Sequence, residues 1–471
     1  VWPFMTTKLY MDQTGDFDLL YQQAPYFKDR QVMRGKGVDE QWDAATQWQE
    51  DARGNRYDGT VLEHLLIQAL GAFYEVGDHN HIALRDADWN DALDMAGNKG
   101  ESVAFTNAYA MNLRDLAAIL RKEAEKGVRD VSLLEEITKL LEDKQDLYES
   151  TEAKHKLLGS YLRKCRHNVS GVRVQVDTLK LADSLEHKAE WMMEHIRQTE
   201  WVADQEGHGW YNGYYDDHGN RVEGVTGDGN VRMMLTSQVF SIMAGTATEE
   251  QVASIAEAAD RYLYDDACGG YRLNTDFHEL KTDMGRMFGF AFGEKENGAV
   301  FSHMAVMYAN ALYARGFAKE GYKALSALYE QSMDFETSRI YPGIPEYFGK
   351  DGRGLYHYLT GAASWYMLTV ITQMFGVRGE AGGLTIQPQL LKTQFDGEAQ
   401  AAISLKFMGI AWEITIENPK HLEVGKYKIG DAYLDGERER IASGKITYSQ
   451  ERIRTLDERK IHHIRLILEK K

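Results

Sequence analysis

The chain has 471 residues, 54 basic and 72 acidic side chains, a formal net charge of −18, 43% hydrophobic residues and six prolines. That length suggests two or three domains, or one large toroid with an appendage, and the apolar fraction is enough for a large core and excludes a disordered chain. So acidic a surface repels nucleic acid and anionic lipid, no run approaches the ~18 apolar residues of a membrane helix, and two cysteines, Cys165 and Cys268, imply no disulfide framework and a reducing, cytoplasmic setting.

In chain order, Val1-Trp2-Pro3-Phe4 runs directly into a helical pattern with no signal-peptide character, so the chain is expected to begin inside a larger polypeptide. Val61, Leu62, Leu65, Leu66, Ala69 and Phe73 recur at helical spacing. Similar faces fall at 105–125, 130–163, 177–198, 235–244, 249–263, 298–316, 319–332 and 360–375. The 130–163 stretch is highly charged and is expected to be an inserted helical hairpin with a solvent-covered face. Residues 207–220, rich in glycine and aromatics, read as a β-hairpin with a glycine-containing turn. Many helices with long loops at one end suggest an (α/α) toroid whose loops build the site. After Gly376 the period drops to two: 401–407 and 412–416 alternate, Asn418-Pro419 ends the run, and strand-like pieces follow near 427–434, 445–449 and 461–468. The expected organisation is a helical domain over 1–376 and a β-sandwich over 377–471.

Three motifs carry chemistry. The first is Arg85-Asp86-Ala87-Asp88-Trp89-Asn90-Asp91-Ala92-Leu93-Asp94, followed by Gly100-Glu101-Ser102-Val103. Glycosyl transfer needs a carboxylic acid to protonate the departing sugar oxygen and an aromatic face to stack on the ring. The same residues also read as a helix start, with Asp88 as cap and Asp91 in the first turn. The second is Gly293-Glu294-Lys295-Glu296-Asn297-Gly298 ahead of Phe301-Ser302-His303, expected to open a helix whose N-terminus, with Lys and His nearby, suits an anion. The third is Tyr356-His357-Tyr358-Leu359-Thr360-Gly361-Ala362-Ala363-Ser364-Trp365, where the Thr360 hydroxyl and the N–H groups of Thr360 and Gly361 suit phosphate; tight packing through small residues is the other reading. His79 and His81, two apart, do not specify a metal site, no Cys/His cluster supports zinc, and neither a phosphate-binding P-loop nor a serine-nucleophile elbow occurs.

Taken in order, Ala-Asp-Trp-Asn-Asp with Gly-Glu-Ser-Val, then Lys-Glu-Asn-Gly with Phe-x-His, then Leu-Thr-Gly-Ala-Ala-Ser-Trp resemble the inverting β-glycoside phosphorylases of glycoside hydrolase family 94 and its sister families. The resemblance implies a mainly α fold: an (α/α)6 barrel, its first part missing here, followed by a C-terminal β-sandwich. It implies Asp91 as general acid, Trp89 and Asp88 beside it, Lys295 and Glu296 toward the acceptor, Glu346 at a looser sugar-contacting position, and His303, Thr360 and Gly361 on phosphate. It also implies a β-linked oligosaccharide and inorganic phosphate as substrates with no further cofactor and no metal. The expected partnership is a homodimer or association with the absent N-terminal segment. Arg286 and Phe290 depart from the acceptor residues of cellobiose phosphorylases, and the Lys295–Met304 stretch is closer in flavour to β-1,3-oligoglucan phosphorylases. In the implied reaction phosphate attacks the anomeric carbon while Asp91 protonates the leaving oxygen. Neighbouring Asp86, Asp88 and Asp94, with Trp89, are expected to keep that acid protonated. Two other readings stand beside it: an inverting hydrolase with Glu296 or Glu346 as base, and a catalytically silent carbohydrate-binding remnant.

Overall fold

The computed structural model of the protein describes residues 1–33, 36–341, 343–357 and 361–471. Helix dominates, and the chain divides into two compact units. One comprises Val1–Phe4, Asp18–Tyr264 and Tyr271–Ala299; the other comprises Met5–Phe17, Asp265–Gly270 and Val300–Lys471. Among the described residues no helix is long and apolar enough to cross a membrane.

In the first unit the helices begin and end where local chemistry dictates. Thr60 caps Val61–Tyr74 by accepting the Glu63 N–H, and Leu62, Leu65, Leu66, Ala69 and Phe73 form its buried face. Ser102 caps Val103–Glu125, and Asp177 caps Thr178–Thr199. Leu235–Ala244 stops at Gly245, whose φ of 79° is left-handed, and Thr248 with Gln251 makes a capping box for Glu249–Tyr262. Each polar cap contributes about 1 kcal/mol.

Two sequence expectations fail here, both because strands pair at a distance. The 130–163 stretch opens not with helix but with the strand Asp130–Leu134, antiparallel to Arg173–Asp177; a 3-10 turn and the helices Gln145–Glu149 and Thr151–Cys165 follow. Val131 and Leu133 are buried at period two, a strand signal hidden within the charged run. The helix Thr151–Cys165 buries one side, with Lys154, Leu158 and Tyr161, and leaves the other toward solvent. Lys154 is fully buried, donates to Asn80 Oδ1 at 2.8 Å and lies 4.1 Å from the ring centroids of Phe73 and Trp191. Burial, then the Lys188 charge, pushes its amine well below the usual lysine range. Residues 207–220 likewise do not form one hairpin. Gly209–Tyr211 pairs with Trp201–Ala203, and Tyr214–Tyr215 pairs with Glu101–Ser102. Only the turn after Tyr215 closes locally, through its bridge to Arg221.

Beneath the first motif lie two buried carboxylates. Glu101 accepts the His79 N–H at 3.0 Å, His79 Nδ1 at 2.8 Å and the His81 N–H at 2.9 Å. Glu200 meets His81 Nε2 at 3.1 Å, Asn212 Nδ2 at 2.8 Å and the Tyr215 hydroxyl at 2.8 Å. Burial alone would raise the Glu200 pKa, but the His81, Asn212 and Tyr215 contacts overcome it and hold the carboxyl at about 2. Together they fix the 77–83 turn that feeds the acidic loop.

The second unit contains the helices Ser302–Ala314, Ala318–Met333 and Gly361–Thr369, the last running on into a π turn at Val370–Met374. A three-stranded antiparallel sheet joins Val300–Phe301, Tyr347–Phe348 and Gly354–Leu355. Farther along, Val377–Glu380, Gly383–Ile386 and Ile446–Tyr448 form a second antiparallel sheet. A five-stranded sheet runs in the order Gln400–Phe407, Ile410–Glu417, Ile461–Lys470, Tyr427–Leu434, Glu437–Arg438, with its second and third strands parallel. Trp412, Ile414 and Ile416 bury one face, opposite His462, Ile464 and Leu466 in register.

Glu200→Gln should cost about 3 kcal/mol in urea unfolding, since it leaves buried donors mismatched. Because the folded pKa lies near 2, below the ordinary 4.5, the stabilisation is complete above pH 4.5 and disappears as pH falls toward 2. The variant should therefore lose that part of the acid transition; an unchanged acid-unfolding curve would contradict the role.

Candidate active site

The first motif is a loop throughout, not a helix start. Asp88 caps no helix: its carboxylate accepts the Asn90 N–H at 2.9 Å and the Ser102 hydroxyl at 2.8 Å. Ser102, in turn, caps Val103–Glu125 by accepting the Phe105 N–H. Asp88 also lines a cavity of about 190 Å³ with Gln68, Glu75, Ser102, Phe105 and Tyr109. Trp89 is half-buried. Asp91 sits at the tip with 77% of its side chain exposed, so Trp89 does not shield it from water.

A second loop 190 residues later straps this tip. Met95 donates to Met284 O at 3.1 Å, and Met287 donates to Ala92 O at 3.1 Å. Between them Gly285 passes so close that a Cβ there would fall 2.0 Å from Ala92 O, so only glycine fits. The strap delivers Arg286. Its N–H donates to Asp94 Oδ1 at 3.0 Å, its guanidinium meets Asp94 Oδ2 at 2.5 Å and Asp91 Oδ2 at 3.3 Å, and it also donates to Asp91 O at 2.8 Å. Burial works against the charge on Asp94, but the Arg286 N–H and guanidinium outweigh it and hold that carboxyl below its usual range.

Lys295 and Glu296 belong to the same unit, in a tight turn rather than at a helix mouth. Gly293 donates to Asn297 O at 2.7 Å, and Asn297 donates to Glu294 O at 3.0 Å and through its amide to Phe290 O at 2.8 Å. Lys295 takes a left-handed φ of 50° at the corner. The Glu296 carboxyl is raised, first by burial and then by the Asp91 charge, and its Oε2 is buried without a hydrogen-bond partner among the described residues. Asp94 and Glu296, both coupled to Arg286, are thus driven in opposite directions.

The second unit gathers His303, Gly361 and Glu346. The 293–298 turn does not open the helix; the strand Val300–Phe301 intervenes, and His303 sits in the first turn of Ser302–Ala314. Glu346 contributes its main chain, its carbonyl accepting the Ser302 N–H at 2.9 Å. Gly361, at the start of Gly361–Thr369, lies against the His303 ring: a Cβ there would fall 3.0 Å from Cε1 and 3.1 Å from Nδ1. Thr360 lies outside the described residues. Burial lowers the His303 pKa to about 4, leaving a neutral imidazole at neutral pH.

A model of the catalytic domain of the glycosyl hydrolase 94 superfamily matches residues 1–172 and 172–376, a span containing all three motifs. The chain belongs to the glycosyl hydrolase 94 superfamily. Among characterised members, a solabiose phosphorylase of Paenibacillus borealis is 24% identical over 90% of this chain and 45% of its own length. A cellobionic acid phosphorylase of Neurospora crassa is 25% identical over 83% of this chain and 40% of its own. An N,N'-diacetylchitobiose phosphorylase of Vibrio proteolyticus is 26% identical over 78% and 39% respectively. The chain therefore spans less than half the length of these glycosyl hydrolase 94 relatives.

Sequence reasoning missed the two groups that shape the acidic loop. Arg286 was visible only as a departure from relatives, and no periodicity links it to Asp94, 192 positions away. Glu101 stood in a motif without a role.

His303 supplies a pH test. With a folded pKa near 4 against an ordinary 6.5, the unfolded chain takes up the proton first, so stability is full above pH 6.5 and falls as pH drops toward 4. His303→Gln should flatten that interval by up to about 3 kcal/mol, read from urea midpoints at pH 7 and pH 4.5. A wild-type slope in the variant would refute the burial effect.

Proposed function

We propose that this chain carries the catalytic portion of an inverting β-glycoside phosphorylase. The observation that carries the reading is the family match across 1–376 together with an exposed carboxyl, Asp91, on a loop strapped at Gly285 and Arg286. A β-glucoside binds with its glycosidic oxygen at Asp91 and Trp89 and Asp88 beside the sugar; Lys295, Glu296 and Glu346 contact it further along. Phosphate is held by His303, Thr360 and the Gly361 N–H. One phosphate oxygen forms the new bond to the anomeric carbon as the glycosidic bond breaks, and the Asp91 proton passes to the departing oxygen. The configuration inverts, giving α-glucose 1-phosphate and the shortened acceptor. Phosphate is already an anion, so no carboxylate is needed to activate water, unlike an inverting hydrolase. The relatives are named for different disaccharides, so the acceptor is proposed only as a β-linked sugar.

The same reading assigns 1–376 to an (α/α)6 barrel and 377–471 to a β-sandwich, supported by the helix-rich pattern before Gly376 and the two sheets after it. It places the protein in the cytoplasm, consistent with two free cysteines.

The decisive experiment supplies α-glucose 1-phosphate with a panel of glucose and glucan acceptors and follows phosphate release. Acceptor-dependent release is expected; sugar liberated from β-glucosides without phosphate would instead identify a hydrolase. Asp91→Asn should lower turnover by about 10²–10⁴-fold, the usual contribution of a general acid, with an unfolding midpoint near wild type because the side chain is exposed. Full activity in that variant would end the assignment. Thr360→Val and Gly361→Ala should each raise the apparent KM for phosphate several-fold while leaving that for the saccharide nearly unchanged; equal changes in both would count against a phosphate role.

A further inference from the structure

The C-terminal unit holds a larger cavity that phosphorolysis does not use. It measures about 560 Å³ and lies where the end of Ser302–Ala314, the π turn and the strands Val377–Glu380 and Tyr427–Leu434 meet. That volume falls within the range of small-ligand sites. Its wall is chemically distinctive. Gln373, Gln387 and Gln389 bring three amides, Tyr313 and Tyr427 two phenols, and Arg378 a guanidinium. Among the described residues lining it there is no aspartate or glutamate. The Arg378 charge is nevertheless met, because its Nε lies 3.3 Å from Glu380 Oε1 while its Nη2 donates to Gln387 Oε1 at 3.2 Å. Lys428, whose Nζ lies 3.3 Å from Glu469 Oε1, and Lys471 also line it, so the wall is polar and basic.

A second observation points to a ligand. Tyr313 is fully buried, lines the cavity, and its hydroxyl has no hydrogen-bond partner among the described residues. Buried phenols ordinarily find one. Tyr427, by contrast, is satisfied within the fold, donating to Leu390 O at 2.9 Å.

Amides are the groups that match a polyhydroxylated ligand, since each offers both donors and an acceptor to adjacent hydroxyls. We propose that this cavity is a second, non-catalytic saccharide site that takes a glycosyl unit, with Gln373, Gln389 and Tyr313 hydrogen-bonding its hydroxyls. The unit can come from a neutral disaccharide or from a sugar phosphate, and the inference does not depend on which reaction Asp91 performs.

The test is calorimetric titration of the Asp91→Asn protein, which prevents turnover, with cellobiose, laminaribiose, α-glucose 1-phosphate and inorganic phosphate in turn. At least one glycosyl ligand should occupy two sites. In a Gln373→Ala/Gln389→Ala protein, and separately in a Val424→Trp protein that fills the cavity from its wall, one site should weaken at least tenfold and the other stay unchanged. The same cavity substitutions with Asp91 intact should keep wild-type kcat, which also verifies folding. Loss of a site for α-glucose 1-phosphate alone supports the proposal and assigns a phosphorylated occupant. A single event weakened by both cavity variants would also support the proposal; a single event or two events untouched by both variants, or a site filled by inorganic phosphate alone, would overturn it.

Discussion

The acidic loop rests on two carboxylates that cannot reach water. Glu101 and Glu200 are fully buried, and a buried charge is tolerated only when donors surround it. Their donors come from His79, His81, Asn212 and Tyr215, so satisfying the two charges pins the 77–83 turn against the strand Tyr214–Tyr215. The pairing of Ile82–Ala83 with Glu101–Ser102 and the Lys154 contact to Asn80 add to that hold. The loop carrying Asp88, Trp89 and Asp91 then leaves from a fixed point, and Ser102 anchors its far side through Asp88.

The tip of the loop obeys a different constraint. Asp91 is exposed, so packing does not set its position; the main-chain contacts with 284–287 and the Arg286 guanidinium do. Gly285 allows the two backbones to touch. The electrostatic result is a divided set of acids. Arg286 keeps Asp94 charged, whereas Glu296, half-buried, is pushed toward its neutral form. Close approach works similarly at the start of Gly361–Thr369, where the missing side chain of Gly361 gives the His303 ring its room. In both places a glycine acts through the space it leaves free.

Much of the fold was legible because its signals are local. Leu235–Ala244 and Tyr427–Leu434 have the bounds that periodicity gives, and the termini at Gly245 and Thr248 follow their caps. The failures share one cause. Gly209–Tyr211 and Tyr214–Tyr215 look like two arms of a hairpin, yet each pairs with a different distant segment, and Asp130–Leu134 is a strand only because Arg173–Asp177 lies beside it. Asp88 resembles a helix cap, but Ser102 takes that place, and the motif remains a loop.

By itself the sequence determined the helix-to-strand change near Gly376, the order of three motifs that matches a known catalytic domain, and Asp91 as the candidate acid, since residue type and short spacing carry all of these. Tertiary structure alone decided that Arg286 meets Asp91 and Asp94, that Glu101 and Glu200 clamp the turn below, and that His303 is neutral against Gly361. Those facts depend on burial and on contacts between residues far apart in the chain. Neither is written in any local pattern.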